Sequence, residues 1–244
     1  DQVDDRTSCV LVSSVLFGTG LIVPELQQIA AACTKHGAEM MVDAYHSLGV
    51  VPFSLDGMEQ AFVLGGGYKY MQLGEGNCFM RVPEGCEMRP VITGWFSEFA
   101  ELADAKTEGE VRYGKGFMRF AGSTFDPTSQ YRGAAVLDFF AEQGLSTELL
   151  RSVSQHQVGL LIETLEGLDL DPAMVSIDAG VPLESRAGFL TVRAPDAEAL
   201  SVALREHGVS TDARGDRLRF GPAPYLSDAQ VVQAMETLRE VVPR

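Results

Sequence analysis

The 244-residue chain has four cysteines, four histidines and one tryptophan, and only 19 lysines and arginines against 34 aspartates and glutamates. Each shortage excludes something. Cys9, Cys33, Cys78 and Cys86 show no C-x-x-C spacing and no nearby histidine pairs, so no metal site is expected. Scattered cysteines make a reduced, cytoplasmic setting the default. The net charge of −15 argues against nucleic acid and anionic membranes, which call for basic patches. No apolar run reaches the length of a membrane helix, so no membrane partner is expected. Asp1 to Arg6 lack the basic start and apolar core of a secretory signal, and the sequence reads as starting inside a longer chain.

What is present is an ordinary core composition, 45% hydrophobic and 22% charged, enough for one large domain or two small ones. Ser8 to Phe17 reads as a buried strand. After Gly18-Thr19-Gly20, Pro24 opens a helix with Leu26, Ile29, Ala30 and Cys33 at helical spacing, closed by Gly37. Glu39 to Val42, ending on Asp43, and Ala61 to Leu64 are further strands, a βαβ pattern that predicts a largely parallel sheet. Phe79 to Val82 adds a strand. Pro83 to Gly116 resists assignment, and its acidic part is expected to be loop. Asp126-Pro127 starts a helix with Tyr131, Ala134, Ala135 and Phe139 on one side. Ser146 caps the next, with Leu149, Val153, Gln157, Leu160, Leu161 and Thr164 on its face. Strands at 175–177, 189–192, 209–211 and 218–220 surround a helix over 195–207. A capping box at Ser227 to Gln230 opens the last helix.

Three stretches carry chemical promise. Gly18-Thr19-Gly20 between a strand and a helix tests as a dinucleotide fingerprint, but Val23 stands where the third glycine belongs, and a tight turn accounts for it equally well. Gly65-Gly66-Gly67-Tyr68-Lys69-Tyr70 places an amine between two phenols in a glycine-rich turn. It is not a phosphate-binding loop, which needs Gly-Lys-Ser/Thr. Burial would lower the amine's pKa and favour the form that attacks carbonyls. Asp43-Ala44-Tyr45-His46 ends the preceding strand. Alone, the aspartate reads as a turn former and the histidine as structural. Together, a lysine able to form a Schiff base and a carboxylate able to hold a ring nitrogen protonated are the two protein groups that pyridoxal 5'-phosphate requires.

The motif Asp43-x-x-His46-x-x-Gly49, followed by Gly67-Tyr68-Lys69-Tyr70, resembles the class V aminotransferase family of pyridoxal-phosphate enzymes, fold type I, and within it the kynureninase group. Gly94-Trp95-Phe96, Arg119 to Thr124, and Arg217 to Pro224 follow in the family's order, so the likeness spans nearly the whole chain. It implies an α/β fold: the remainder of a mostly parallel-sheet large domain over 1–125, bridging helices over 126–167, and a small α+β domain over 168–244. Lys69 would be the Schiff-base lysine and, with Tyr68, a proton carrier. Asp43 would pair with the pyridinium nitrogen and His46 would lie near the phenolic oxygen. Tyr68, Trp95 and Ser123 or Thr124 would serve the cofactor phosphate, Trp95 and Ser123 or Thr124 across the interface of a homodimer with a shared active site. Arg219 would grip the carboxylate of a small amino-acid substrate.

The implied reaction is hydrolytic Cβ–Cγ cleavage of L-kynurenine or a related amino acid, as in tryptophan catabolism. Two departures bear on this. Ser97-Glu98 stand where kynureninases usually continue Gly-His, and family members carry a segment before the first strand that supplies the main phosphate cup. A transaminase or lyase on another amino acid, or a non-catalytic fragment that keeps only the fold, are the alternatives. Cysteine desulfurase activity is not expected, since no cysteine follows Cys86.

Overall fold

A computed structural model describes residues 2–104, 108–178 and 180–243. Its first sheet joins β1 (Cys9–Ser13), β2 (Glu39–Asp43), β3 (Phe62–Gly66) and β4 (Cys78–Arg81) in that spatial order. The first two pairings are parallel and the third is antiparallel. The expected βαβ unit is therefore present, with α1 (Leu26–His36) as its crossover. Leu26, Ala30 and Cys33 recur every three to four residues and bury one stripe of α1 against Met40, Val42, Ala61 and Val63. The helix starts at Leu26 rather than Pro24 because Glu25 adopts left-handed geometry at φ 57°. Gly37, at φ 67°, closes it as expected.

Two expectations shift at the ends of these strands. The first strand stops at Ser13, not Phe17. The chain then folds back on itself, with Val15 bridging Ile22 and the Gly20 amide donating to the Leu16 carbonyl. β3, by contrast, runs past Leu64 into the glycines. A Cβ on Gly65 would lie 2.4 Å from the Phe79 ring, and one on Gly66 would lie 2.2 Å from the Tyr45 ring. These two glycines are strand residues crowded by aromatic rings, and the turn begins at Gly67. Residues 83–116, left unassigned from sequence, hold a 3-10 segment over Trp95–Glu101; residues 105–107 of the expected acidic loop lie outside the described residues.

The second sheet is antiparallel, in the order β5 (Ser176–Ile177), β6 (Leu190–Arg193), β8 (Arg217–Phe220), β7 (Asp212–Arg214). The strand expected at 209–211 lies three residues later, because Thr211 is tied back to α4 (Ala197–Glu206) by hydrogen bonds with Ser201. Two other helices cover this sheet, α3 (Thr147–Gly167) and α5 (Asp228–Val241), and both caps read from sequence are in place at Ser146 and Ser227. α3 buries Leu150, Ser154, Gln157, Val158, Leu161 and Leu165, while Leu149 stays exposed, so its inner face is turned from the expected one. Leu161, Leu190, Leu218 and Met235 meet in one core cluster. The face expected on α2 (Thr128–Glu142) is also different: Tyr131, Ala134, Ala135 and Phe139 are exposed, and among the described residues the helix buries Gly133 alone.

The two sheets are held together by backbone hydrogen bonds and by one buried arginine side chain. Ile22 donates to the Ser185 carbonyl, Ala187 donates to that of Gly20, and the buried Arg186 donates to the Thr19 and Asp178 carbonyls. Gly20 is at φ 73°, and a Cβ there would meet the Phe189 carbonyl at 3.0 Å. The Gly18-Thr19-Gly20 turn thus serves this junction. Val15, Val50, Val51, Ala187 and Phe189 fill the space beside it.

Candidate active site

At the carboxyl ends of parallel strands the side chains diverge and leave a crevice, the usual place for a ligand. Here the crevice is closed on its far side by the second sheet. A cavity of about 580 Å³ lies between them, lined by His46, Tyr68, Lys69 and Tyr70 from the first sheet's loops and by Asp212 and Arg219 from the second.

Asp43 is fixed at the end of β2 by two hydrogen bonds. Its Oδ1 accepts from the Tyr45 amide at 3.0 Å and its Oδ2 from the Ser13 hydroxyl at 3.2 Å. Its neighbour on β1 is Ser13 and on β3 is Leu64. Three residues on, the His46 ring stands edge-on to Phe189 and Phe17. Burial, followed by the charges of Lys69 and Arg219, pushes its pKa down to about 4, so the imidazole is neutral at pH 7. Its Nε2 lies 3.0 Å from Lys69 Nζ, and its buried Nδ1 has no hydrogen-bond partner among the described residues.

Lys69 follows the glycine strand. The turn that carries it is closed by hydrogen bonds from the Leu73 amide to Gly67 and from the Gln72 amide to Lys69. Burial pushes the amine's pKa down, Arg219 pushes it further, and Asp43 and Asp212 oppose both. This is the direction that enriches the free, nucleophilic amine. Tyr68 is part-exposed beside it, its ring edge-on to Tyr45 at 5.8 Å. The missing Cβ of Gly66 is what lets Tyr45 and Tyr68 approach this closely.

Arg219 enters from the opposite sheet. Its guanidinium lies 3.5 Å from the centre of the Phe17 ring and 5.1 Å from that of Phe189, and it pairs with Asp212. Arg217, two residues earlier on the same strand, pairs with Asp216 instead.

The structure therefore brings His46, Tyr68, Lys69 and Arg219 to one crevice, while Asp43, outside its lining, is near enough to act electrostatically on His46 and Lys69. Trp95, Ser123 and Thr124 lie elsewhere, around a close contact in which a Cβ on Gly94 would fall 2.3 Å from the Gly122 carbonyl oxygen. There the exposed Trp95 ring packs on Phe96 and Phe99. Sequence reasoning missed Phe17, Phe189 and Asp212. From sequence, Phe17 reads as the last residue of the first strand and Phe189 as the first residue of a later one. Asp212 faces Arg219 across a hairpin whose register, Asp212 opposite Arg219, becomes visible only once β7 is placed correctly.

The donor set suits an aromatic aldehyde cofactor with a basic ring nitrogen. Lys69 offers an amine of lowered pKa, Asp43 a carboxylate held at the sheet edge, and His46 a buried nitrogen without a partner. Among the described residues no group of histidines, cysteines and carboxylates could hold a metal, the four cysteines are unpaired, and no helix is long and apolar enough to cross a membrane.

The chain is similar to known proteins in sequence and in fold. The family described as the kynureninase C-terminal domain matches residues 150–238. Kynureninases of Pseudomonas fluorescens and Burkholderia mallei are each 28% identical over 249 aligned positions, covering 99% of this chain and 58% of theirs. The chain thus spans a little under three fifths of the curated relatives it matches. Among solved structures, a cysteine desulfurase of Thermococcus onnurineus superposes with a TM-score of 0.77 at 17% identity, over 96% of this chain and 60% of the other. A cystine C–S lyase solved with cysteine persulfide gives 0.77 at 21%, over 98% and 63%. These two share the fold. By sequence the chain is similar to kynureninases over nearly its whole length, and by fold it is similar to these two solved structures.

Proposed function

We propose that the chain is the greater part of a pyridoxal-phosphate-dependent hydrolase that cleaves the Cβ–Cγ bond of L-kynurenine or a related amino acid. The observation that carries this reading is the convergence of Lys69, His46 and Arg219 on one cavity beside Asp43. Bound there, the cofactor would supply an electron sink for charge developing at the substrate's α-carbon. Asp43 would keep the ring nitrogen protonated, and His46 Nδ1 would gain the partner it lacks. Lys69 would hold the cofactor covalently and then carry the α-proton, and Tyr68 would serve as a second proton carrier and as a phosphate ligand. Arg219 would hold the substrate carboxylate. Trp95 and Ser123 or Thr124, exposed and outside the lining of the Lys69 cavity, would serve the phosphate in a second copy, which makes the working unit a homodimer acting on a small amino acid.

Two measurements test this. Pyridoxal phosphate added to the chain should give a visible absorption band that Lys69→Ala abolishes; a band unchanged in the variant overturns the role of Lys69. The full-length protein should release anthranilate from L-kynurenine. Transamination of alanine without anthranilate would favour an aminotransferase or lyase instead, a reading that Ser97-Glu98 in place of Gly-His supports.

A further inference from the structure

A row of side chains crosses the second sheet at the level of Arg219. Strand register sets Asp212 of β7 and Thr191 of β6 on either side of it, and cross-strand partners share a face. Arg219 Nη2 is paired with the Asp212 carboxylate and the guanidinium lies over the Phe17 ring, while Nε is buried with no partner among the described residues. Asp212 itself is pinned. The hydroxyl of the preceding Thr211 donates to the Ser201 hydroxyl at 2.9 Å, which in turn donates to the Thr211 carbonyl at 3.2 Å, fastening the start of β7 to α4. Arg214, two residues further on the same strand, also lies over Phe17, at 4.1 Å from the ring centre.

We infer that Asp212 is the positioning residue of the carboxylate subsite, with Phe17 as its platform. Without them a long arginine side chain on a small edge sheet would sample many rotamers, and ordering it would cost binding energy at every encounter. With them the plane of the fork is set before ligand arrives. One donor is already matched by Asp212, and the part of the guanidinium that lines the cavity is left to meet a ligand carboxylate oxygen. The same pairing offsets one of the positive charges that act on Lys69, Arg214 being another, so that a ligand is held by directed donors more than by bulk charge. This inference rests on the reading of Arg219 as the carboxylate ligand.

The test is binding, measured by calorimetry on the full-length protein loaded with pyridoxal phosphate. The probes are L-alanine and ethylamine, which is the same molecule without its carboxylate. Asp212→Ala should weaken L-alanine about tenfold and leave ethylamine within twofold, and Asp212→Asn, which keeps an acceptor oxygen in place, should restore most of the loss. Phe17→Leu should act in the same direction as Asp212→Ala. An alanine affinity that is unchanged or improved in Asp212→Ala overturns the positioning role, since improvement means that the aspartate merely competes with ligand. Arg219→Met separates the two layers: if it leaves the alanine-to-ethylamine ratio unchanged, the carboxylate reading of Arg219 itself falls. If it abolishes the preference while Asp212→Ala does not, only the inference about Asp212 falls.

Discussion

The His46 ring offers the sharpest quantitative test because its environment has one dominant cause. An imidazole in water takes a proton near 6.5, but here burial, with Lys69 and Arg219 adding to it, pushes that value down to about 4; Asp43 and Asp212 pull the other way. Between those two values the unfolded chain carries a proton at this site and the folded chain does not. Stability from this group is therefore fully present above pH 6.5 and is lost as pH falls toward 4, below which no more is lost. The full difference is worth about 3 kcal/mol at 1.36 kcal/mol per decade, and about 2 kcal/mol after allowance for water at the mouth of the crevice. Urea unfolding at pH 7, 6 and 5 should show this as a steeper fall for the wild type than for His46→Gln, which has no proton to gain. Carboxylates elsewhere titrate in both proteins and cancel in the difference. Parallel pH profiles would refute the reasoning, as would an NMR titration of the ring with a midpoint near 6.5.

Other perturbations follow from close approaches and caps. Gly66→Ala places a methyl 2.2 Å from the Tyr45 ring and 2.8 Å from that of Tyr68; it should cost about 1–3 kcal/mol in thermal unfolding and weaken pyridoxal phosphate binding, because both rings must move. Arg186→Met removes the donors to the Thr19 and Asp178 carbonyls at a buried site joining the two sheets. It should cost roughly 2–4 kcal/mol in chemical denaturation. Leu161→Ala, at a position 2% exposed in the second sheet's core, should cost about 2–5 kcal/mol by the same measurement. Ser227→Ala breaks a complete capping box and should lower the melting temperature by the equivalent of about 1 kcal/mol.

Local physics made much of the fold readable. Leu26, Ala30 and Cys33 repeat with a helix's period, Gly37 supplies the left-handed residue that ends it, and Ser227 with Gln230 satisfies each other's backbone donors. Such features depend on neighbours a few residues away, and they appear where the pattern placed them. Errors arose where a distant partner decided the outcome. Val15 and Leu16 are apolar enough to extend β1, but Val15 pairs with Ile22, and the turn they enclose hydrogen-bonds to residues 185–187. Gly65 and Gly66 look like a turn because glycine favours turns. They are strand because Phe79, Leu48 and Tyr45 leave no room for anything larger.

The site divides along the same line. The placement of Asp43 and Lys69 at the ends of adjacent strands was readable, because the proposed chemistry of a Schiff base and a protonated ring nitrogen calls for those two residue types there, whatever surrounds them. The aromatic faces against which His46 and Arg219 rest were not, because nothing in the residues around Phe17 or Phe189 distinguishes a ring that fills a core from one that carries a cation. What distinguishes them is the junction between the sheets. Gly20 allows the first sheet's turn to sit against the Phe189 carbonyl, and Tyr70 packs so closely on Gly188 that a Cβ there would lie 2.5 Å from its ring. These contacts bring Phe17, which follows the first sheet's opening strand, and Phe189, about 30 residues before Arg219, together under the strand that carries Arg219 and against the His46 ring. The lowered pKa of the lysine, the neutral histidine and the orientation of the arginine all depend on this one packing arrangement. Loosening the junction should therefore disturb all three together, without touching any residue that meets a ligand.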